Sequence, residues 1–394
     1  MTVSGAALLL FLAVQAPGDS LTLAEAMARA RAARAQGAIA AAQVAEARGA
    51  LRTAGMIPNP TVSYSHSEAT PLNHLLVDQP FDWLLRRGAD RSAARAGVAR
   101  ARADSTQTML DLDHAVRLAY WRTRAALLSQ ALVEAQAVQA DSLSQIAAAR
   151  FRAGDISLLE QEQAGQEAAR ARQTVSSARE VAGVAVAGLA RAVGAESPPP
   201  PPSDPLDAGL DALPDSTVTL ADVPLLRAAV ADSVAAAAQI RSATKARLPI
   251  PSLQAGTEWG DPSEPGALTV IGFAVPLPLW NRSGGTVAEA RARAERLSAV
   301  AREARLDVAR QVREARIHLQ ETARRARSAR DSLIPAAAAL RSRALRAYRA
   351  GETGILPVLD AFRAERDVAL AGLQDQLAFQ EAVADWYALT STGL

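Results

Sequence analysis

The sequence predicts a mainly α-helical fold with a small β part, built from two copies of a helix–β-hairpin–long helix–helix unit. Alanine supplies much of a hydrophobic fraction of 49%, while aromatic residues make up only 4%, and this composition favours long helices packed through small side chains. The stretches FRAGDISLLEQEQA (151–164) and YRAGETGILPVLDA (348–361) are nearly alike and lie half the chain apart. Each half also contains a Pro-x-Pro followed by two segments that alternate apolar and polar residues.

Each half opens with a predicted helix. In the first half, Thr22 and Glu25 form a capping-box pattern, and the helix is predicted to run to about Arg52. In the second half the helix is predicted from about Val223 to Ala246. The prolines of PNP (58–60) and PIP (249–251) stop both helices, because proline breaks the helical hydrogen bonding and favours extended chain before it.

Two alternating segments in each half predict four β-strands, at about 58–66, 75–83, 250–259 and 267–280. In TVSYS (61–65), Val62 and Tyr64 face one way and the two serines face the other. A period of two with one apolar face is the pattern of a β-strand. The second strands end alike, in PFDWLLRRG (80–88) and PLPLWNRSG (276–284).

A helical hairpin is predicted after each pair of strands, at about 89–193 and 286–390. The first helix of the second hairpin is expected to continue from Thr286 to Ala350 despite Pro335. Its 4-3-4-3 spacing predicts a coiled-coil seam. The seam residues are Val308, Val312, Ala315, Leu319, Thr322, Ala326, Ala329, Leu333, Ala336 and Leu340.

The two similar stretches are predicted to be the tips of these hairpins, at 151–157 and 348–354. Gly154 and Gly351 suit the left-handed conformation that ends a helix. Ser157 with Glu160 is expected to cap the returning helix of the first hairpin, and Thr353 that of the second.

Five consecutive prolines mark the middle of the chain and predict a polyproline-type linker at 197–216. The linker separates a first repeat (17–196) from a second repeat (217–394). At the amino terminus, the apolar run GAALLLFLAV (5–14) precedes an A-x-A-like site and predicts a signal peptide at 1–16. A buried amino-terminal strand is the alternative interpretation.

The formal charge of +2 and the interleaving of basic and acidic residues favour solvated helix faces over a nucleic-acid partner. The chain has no cysteine, which excludes disulfides and a cysteine nucleophile. No P-loop, nucleophile elbow or paired metal motif is found, so we predict no enzymatic activity and no cofactor. His114 and His318 lack ligand spacing; His66 and His74 could meet near a loop and hold a metal, although solvated loop histidines are the simpler interpretation.

The strands suggest how the chain could insert into a membrane. Four strands cannot close a barrel, and open strand edges cannot face lipid. Their length matches that of membrane-barrel strands, and three chains would supply twelve strands enclosing a lumen. Trp83, Trp259 and Trp280 lie near strand ends, where an aromatic girdle is expected at a membrane interface. The alternative is a soluble hairpin that caps a helical bundle.

Several segments resemble the TolC family of outer-membrane efflux proteins. They are LTLAEAMARA (21–30), AGMIPNPTVSYS (54–65), KARLPIPSLQAG (245–256), GFAVPLPLWNRSGG (272–285) and YRAGETGILPVLDAFRAERD (348–367). The resemblance covers nearly all of the chain after the predicted signal peptide and depends on order, spacing and duplication. The strand end PLPLWNRSGG is most similar to the CzcC-like branch, which is associated with heavy-metal efflux.

This resemblance implies a homotrimer in the outer membrane of a Gram-negative bacterium. A twelve-stranded β-barrel in outer-membrane lipid would continue into an α-helical coiled-coil periplasmic tunnel. The protein would be a passive exit duct that docks on a periplasmic adaptor protein and an inner-membrane pump of the RND type, with metal cations as a candidate substrate. The exit duct of a type I protein secretion system and a soluble periplasmic coiled-coil scaffold are the alternatives.

The resemblance also implies site residues. In the family, acidic residues just after a tip line the narrow periplasmic end of the tunnel, and Asp360 matches one such position. A second acidic position is occupied by Pro357 here, while Glu160 holds the equivalent place in the first half. The acids could instead simply favour helix N-termini. The tips are the candidate adaptor contacts, with structural capping as the alternative. They comprise Arg152, Gly154, Asp155, Arg349, Gly351 and Glu352.

Overall fold

A computed structural model of the protein describes residues 20–214, 217–277, 279–280 and 282–390. The predicted signal peptide lies outside these residues. Within these ranges, none of the helices combines the length and the apolar character that a membrane span requires.

Helices make up most of the fold, as predicted. They are α1 (Leu23–Ala33), α2 (Gln36–Thr53), α3 (Asp82–Ala153), α4 (Leu158–Val193), α5 (Pro224–Lys245), α6 (Gly284–Ser328), α7 (Ile334–Arg349) and α8 (Ile355–Thr390). A 3₁₀ turn (Leu220–Asp222) precedes α5, and a π-helical turn (Ala329–Leu333) joins α6 to α7. The long helix α3 has 72 residues and would span roughly 100 Å at about 1.5 Å per residue.

The four strands form one antiparallel sheet in the order β1-β2-β3-β4. They are β1 (Thr61–His66), β2 (Asn73–Pro80), β3 (Ser252–Asp261) and β4 (Glu264–Ala274). The central pairing of β2 with β3 joins the two halves of the chain, with Val77 opposite Ala255. Strands β1 and β4 are left as the two edges of the sheet.

The chain leaves the second strand of each hairpin earlier than predicted. Strand β2 ends at Pro80, because Phe81 has left the extended conformation (φ −112°, ψ 22°) and α3 begins at the next residue. Trp83 therefore lies in the first turn of α3 and not in a strand. Strand β4 ends at Ala274, six residues before Trp280.

The prediction of one continuous first helix was wrong, because α1 and α2 are separated at Arg34. Arg34 adopts an extended conformation (φ −88°, ψ 137°), and its guanidinium donates to the carbonyl oxygen of Arg191 at 3.4 Å. No proline marks this break in the sequence. The break between α1 and α2 therefore coincides with a contact between Arg34 and the end of α4, which is distant in the sequence.

The predicted seam is buried as far as Ala329 and then moves by one residue. Leu333 and Leu340 are about half exposed (52% and 53%), whereas Ile334 and Arg341 lie partly buried in their place. Pro335 has no N–H to donate and its ring crowds the preceding turn. The π turn accommodates it, with Ile334 N–H bonded to the carbonyl of Ala329 five residues back, and its extra residue rotates the buried stripe.

The proline-rich segment is a packed part of the fold and not a free spacer. Leu21 N–H donates to the carbonyl of Pro201, and Ser203 N–H donates to the carbonyl of Leu21, both at 3.0 Å. The hydroxyl of Tyr120 accepts from the N–H groups of Ser203 and Asp204 at 3.2 and 3.1 Å. These bonds fasten the segment to α3 and to the residues that precede α1.

Candidate functional surfaces

The register of the sheet separates an apolar face from a polar one. Side chains directly opposite each other share a face, and one such row contains Val62, Val77, Ala255 and Ile271. The apolar side chains of this face are open to solvent; Ile271 and Phe273 are 75% and 80% exposed. A hydrophobic surface of this kind indicates contact with a lipid or protein partner.

The opposite face of the sheet carries charged and amide side chains, together with the apolar Leu76, Leu268 and Val270. Asp78 accepts hydrogen bonds from Ser252 Oγ at 2.8 Å and from Gln254 Nε2 at 3.0 Å. Farther along the strands, His74 Nδ1 lies 3.1 Å from a carboxylate oxygen of Glu258. The charged side chains of strands β2 and β3 thus share one face, and the most exposed apolar side chains lie on the other.

The three predicted interface tryptophans lie at both ends of the sheet. Trp259 stacks on Tyr64 near the β1–β2 turn, with ring centroids 6.3 Å apart. Trp83 packs against Phe81 at the helical end, at 6.5 Å, and Trp280 is 93% exposed beyond the end of β4. Aromatic side chains therefore lie at both ends of the sheet.

The two strand histidines do not form a metal site. His66 lies opposite Asn73, and His74 lies opposite Ser65 in the neighbouring row, so the histidines occupy opposite faces of the sheet. His66 Nδ1 is 3.0 Å from the side-chain oxygen of Asn73. No group of three or more potential metal ligands occurs among the residues that the structure describes.

The first tip is a helix end with a left-handed glycine. Gly154 has a φ of 83° and donates to the carbonyls of Arg150 and Phe151. Arg152 is exposed and folds back to the carbonyl of Ala148 at 3.3 Å. Gly154 therefore has a structural role, and Arg152 and the exposed Asp155 are placed on the outer surface of the tip.

Glu160 is held by the tip and does not extend freely into solvent. One carboxylate oxygen accepts from the N–H of Ser157 at 3.0 Å, and the other accepts from the N–H of Ile355 at 3.5 Å. The hydrogen bond from the Ser157 backbone, followed by the smaller effects of the Ser157 hydroxyl and of Ile355, lowers the pKa of Glu160. Ser157 and Glu160 form the predicted capping box.

The second tip repeats the glycine but not the cap. Gly351 has a φ of 77°, and both Arg349 and Glu352 are exposed. Helix α8 begins at Ile355, so the prediction that Thr353 caps it was wrong. In the part of the chain that the structure describes, the Thr353 hydroxyl donates to the carbonyl of Gly354 at 3.3 Å. Glu160 of the first hairpin reaches the start of α8 instead.

Asp360 lies one turn into α8 with 72% of its side chain exposed. Arg363 contacts it at 3.3 Å and also contacts Glu167 at 2.7 Å. Glu167 has only 8% of its side chain exposed and is approached by Arg366 at 3.4 Å as well. Asp360 therefore sits at the solvent end of an ion-pair network that links α4 to α8.

Sequence reasoning missed this network and the burial of Tyr348. Tyr348 is 2% exposed and lies under the guanidinium of Arg150, 4.5 Å from the ring centroid. A signal for Glu167 was present, because it falls at helical spacing between Ala164 and Ala171, both of them buried. The tyrosine and Phe151 look equivalent in the sequence, which gave no reason to treat them differently.

Comparisons with known proteins agree with this geometry. Residues 217–392 match the sequence model of the family described as outer membrane efflux protein. No curated protein sequence was found to match the chain.

Solved structures share the whole fold. CusC, which forms a transmembrane channel, superposes with a TM-score of 0.78 at 17% identity over 93% of this chain and 91% of CusC. The outer-membrane channel OprN gives 0.76 at 19% identity, over 94% and 90% of the two chains. VceC, an outer membrane protein of Vibrio cholerae, gives 0.75 at 21% identity, over 93% and 96%. This protein thus has the fold of these proteins.

Proposed function

We propose that this protein is an outer-membrane channel, the exit duct of a tripartite efflux system. It passively conducts substrate that an inner-membrane pump of the RND type expels through a periplasmic adaptor. The observation that carries the proposal is the sheet, which exposes an apolar face on one side, polar groups on the other and two unpaired edge strands.

The sheet supports insertion as part of a closed barrel. Unpaired backbone groups at the edges cannot be exposed to hydrocarbon. Because successive strands alternate in direction, β4 of one copy would run antiparallel to β1 of the next copy. Three copies would supply twelve strands, with the apolar face toward lipid and the polar face toward the lumen.

The helical tips independently support a ring of copies. Within the chain, Tyr348, Ile355 and Leu143 are buried where the two hairpins meet. Their repeat equivalents, 197 positions away, are Phe151, Leu158 and Leu340, which are 37%, 54% and 53% exposed. These exposed residues have the placement needed to form the same contact with a neighbouring copy.

Asp360 is the proposed aperture residue. In a three-fold assembly, three copies of this exposed carboxylate would repel each other and attract cations at the narrow end of the tunnel. Glu160 is proposed to lie near the aperture, but its carboxylate is less available to passing ions than that of Asp360, because both of its oxygens accept backbone hydrogen bonds from Ser157 and Ile355. We expect Asp360→Ala to raise single-channel conductance, and unchanged conductance in an assembled trimer would remove Asp360 from the aperture.

The exposed tips are proposed to contact the adaptor, through Arg152, Asp155, Arg349 and Glu352. Metal cations as substrate are supported only by the strand-end resemblance of PLPLWNRSGG (276–285). Metal sensitivity of a deletion strain would test this part separately. Accumulation of an exported protein in the same strain would favour the secretion alternative.

The first test is the native mass of the protein extracted in detergent from an outer-membrane fraction. A trimer that requires detergent would support the channel. A soluble monomer or dimer recovered from the periplasm would overturn the proposal and favour a scaffold.

A further inference from the structure

We propose that arginines at the junction between the sheet and the long helices form an anion-binding ring inside the channel. The inference rests on the proposed trimeric channel. Arg86 and Arg282 occupy the same place in the two repeats, seventh in PFDWLLRRG (80–88) and in PLPLWNRSG (276–284). Three copies would therefore bring six arginines to one level, where the barrel meets the tunnel.

The first observation is that these charges lack acidic partners. Among the side chains that the structure describes, which do not include that of Asp82, no carboxylate oxygen forms an ion pair with Arg86, Arg87 or Arg282, although other arginines, such as Arg330, contact several. The Nε atoms of Arg86 and Arg87 are also buried without a hydrogen-bond acceptor. Buried donors without acceptors are costly and favour an incoming anion.

The second observation is a cavity beside Arg86, about 280 Å³ in volume, between α3, α5 and α6. Arg293 supplies a second guanidinium, and Gln239, Ser242 and Thr286 supply polar groups. Glu289 also lines the cavity and partly offsets the positive charge. Its volume is just below the usual range of ligand pockets and suits a phosphate or carboxylate group of a larger solute.

The third observation concerns which sides of the helix the residues in the first turns of α3 occupy. At 3.6 residues per turn, the pair Leu84–Leu85 and the pair Arg86–Arg87 lie on opposite sides of the helix. Leu84 and Leu85 are 63% and 40% exposed, and in the proposed channel we place this exposed apolar pair on the lipid side, beside the apolar face of the sheet. The arginine pair is thereby assigned to the side of the polar face, which is the lumen.

The ring gives the channel a positive region at the barrel end of the tunnel. A lumen lined by one sign of charge concentrates solutes of the opposite sign. The substrate class that this region favours is an anionic solute with phosphate or carboxylate groups. The proposed Asp360 aperture, at the other end of the tunnel, has the opposite sign.

The test is block of single-channel current by tripolyphosphate added to the barrel side of the purified trimer in a planar bilayer. We expect block of the wild-type channel. In the double variant Arg86→Gln with Arg282→Gln, the half-blocking concentration should rise by about tenfold or more, because attraction of a polyvalent anion depends on the product of the charges.

Two variants sharpen the result. Arg86→Lys with Arg282→Lys keeps the charge and should keep most of the block. Arg305→Gln, in a different groove of the same helices, should leave the block unchanged and controls for lost positive charge elsewhere. Channels that form but show equal block in wild type and the double Gln variant would overturn the ring alone. Failure to form any trimeric channel would overturn both proposals.

Discussion

The two hairpin tips carry the same motif, but their aromatic residues have different environments. Tyr348 is 2% exposed because the first hairpin covers it, with Arg150 over its ring. Phe151, at the same place in the first tip, is 37% exposed. A duplicated hairpin has two copies of one contact surface, and a single chain can cover only one of them. The difference supports the proposal that the exposed surface at Phe151 contacts another copy in the trimer.

The middle of the hairpins shows a second difference, in the distribution of side-chain volume. In the first hairpin, Ala137 and Val175 belong to one packed cluster. In the second, the equivalent positions are Ile334 and Gly372, and a Cβ on Gly372 would lie 2.8 Å from the Ile334 side chain. The large and small residues have exchanged places, next to the π turn before Pro335.

The largest effect is expected from removing the aromatic ring of each tip, because the two rings should affect different properties of the protein. Tyr348→Ala should lower the free energy of unfolding by about 3–5 kcal/mol, because it removes a buried ring. Phe151→Ala should change the stability of the isolated chain little and should reduce the trimeric fraction instead. Equilibrium unfolding at fixed protein concentration measures the first effect, and native mass in detergent measures the second.

Tyr348→Phe is the matched control, because it keeps the ring and gives the second tip the same aromatic residue as the first. Its hydroxyl is buried without a hydrogen-bond partner, so we expect a change within about 1 kcal/mol. If Phe151→Ala left the trimer intact and destabilised the monomer as much as Tyr348→Ala does, the proposed difference between the tips would be wrong.

These tips also show how far the sequence could be interpreted. Gly154, Gly351 and the Ser157–Glu160 capping box were predictable because left-handed helix ends and caps depend on local residues. The start of α8 was not, because the N–H of Ile355 donates its hydrogen bond to Glu160 of the other hairpin. Local patterns could not identify a long-range acceptor.

In the rest of the fold, too, features set by local residues were predictable and features set by distant contacts were not. The faces of the strands followed from alternation, since one buried or lipid-facing side requires a period of two. The shift of the seam after Ala329 was missed because a π turn changes the helical register at Pro335 without any change in composition. The break at Arg34 and the packing of the prolines depend on contacts with distant residues.

A change in stability of intermediate size is expected from variants at Gly372 and Ile334, the positions where the large and small residues have exchanged places. Gly372→Val should destabilise the protein by about 1–3 kcal/mol, because the added methyl groups meet Ile334 in a packed interface. Adding Ile334→Ala should recover at least half of that loss, because the pair then matches Ala137 and Val175. The free energies of unfolding of both single variants and the double variant measure this coupling.

Val175→Gly is the control in the first hairpin. This substitution should destabilise the protein, because it leaves a cavity beside Ala137. Ile334→Ala should not restore the lost stability, because Val175 and Ile334 belong to different hairpins. Additive effects of Gly372→Val and Ile334→Ala would show that the two side chains do not compete for the same space, contrary to the geometry.

The smallest effect concerns the acid that only the first tip carries. The hydrogen bonds of Ser157 and Ile355 lower the pKa of Glu160 in the folded protein below its ordinary value of 4.5. A carboxyl group with a lowered folded pKa contributes stability above its unfolded pKa, and this contribution is lost as the pH falls through the folded pKa. Acid should therefore loosen the Ser157 cap and the start of α8 together, while the Gly351 turn, which has Pro357 at the equivalent position, should respond less.

Hydrogen exchange at the amides of Ser157 and Ile355 measures this loosening. A lost cap costs about 1 kcal/mol, so exchange should accelerate roughly fivefold between pH 6 and about pH 3 beyond the intrinsic change. Glu160→Gln, compared at the same pH values, should exchange faster than wild type at pH 6 and show no further acid-dependent step. Equal acceleration in wild type and variant would mean that Glu160 does not couple the two tips, and the link from the first hairpin to α8 would then depend on the buried contacts of Tyr348 and Ile355 alone.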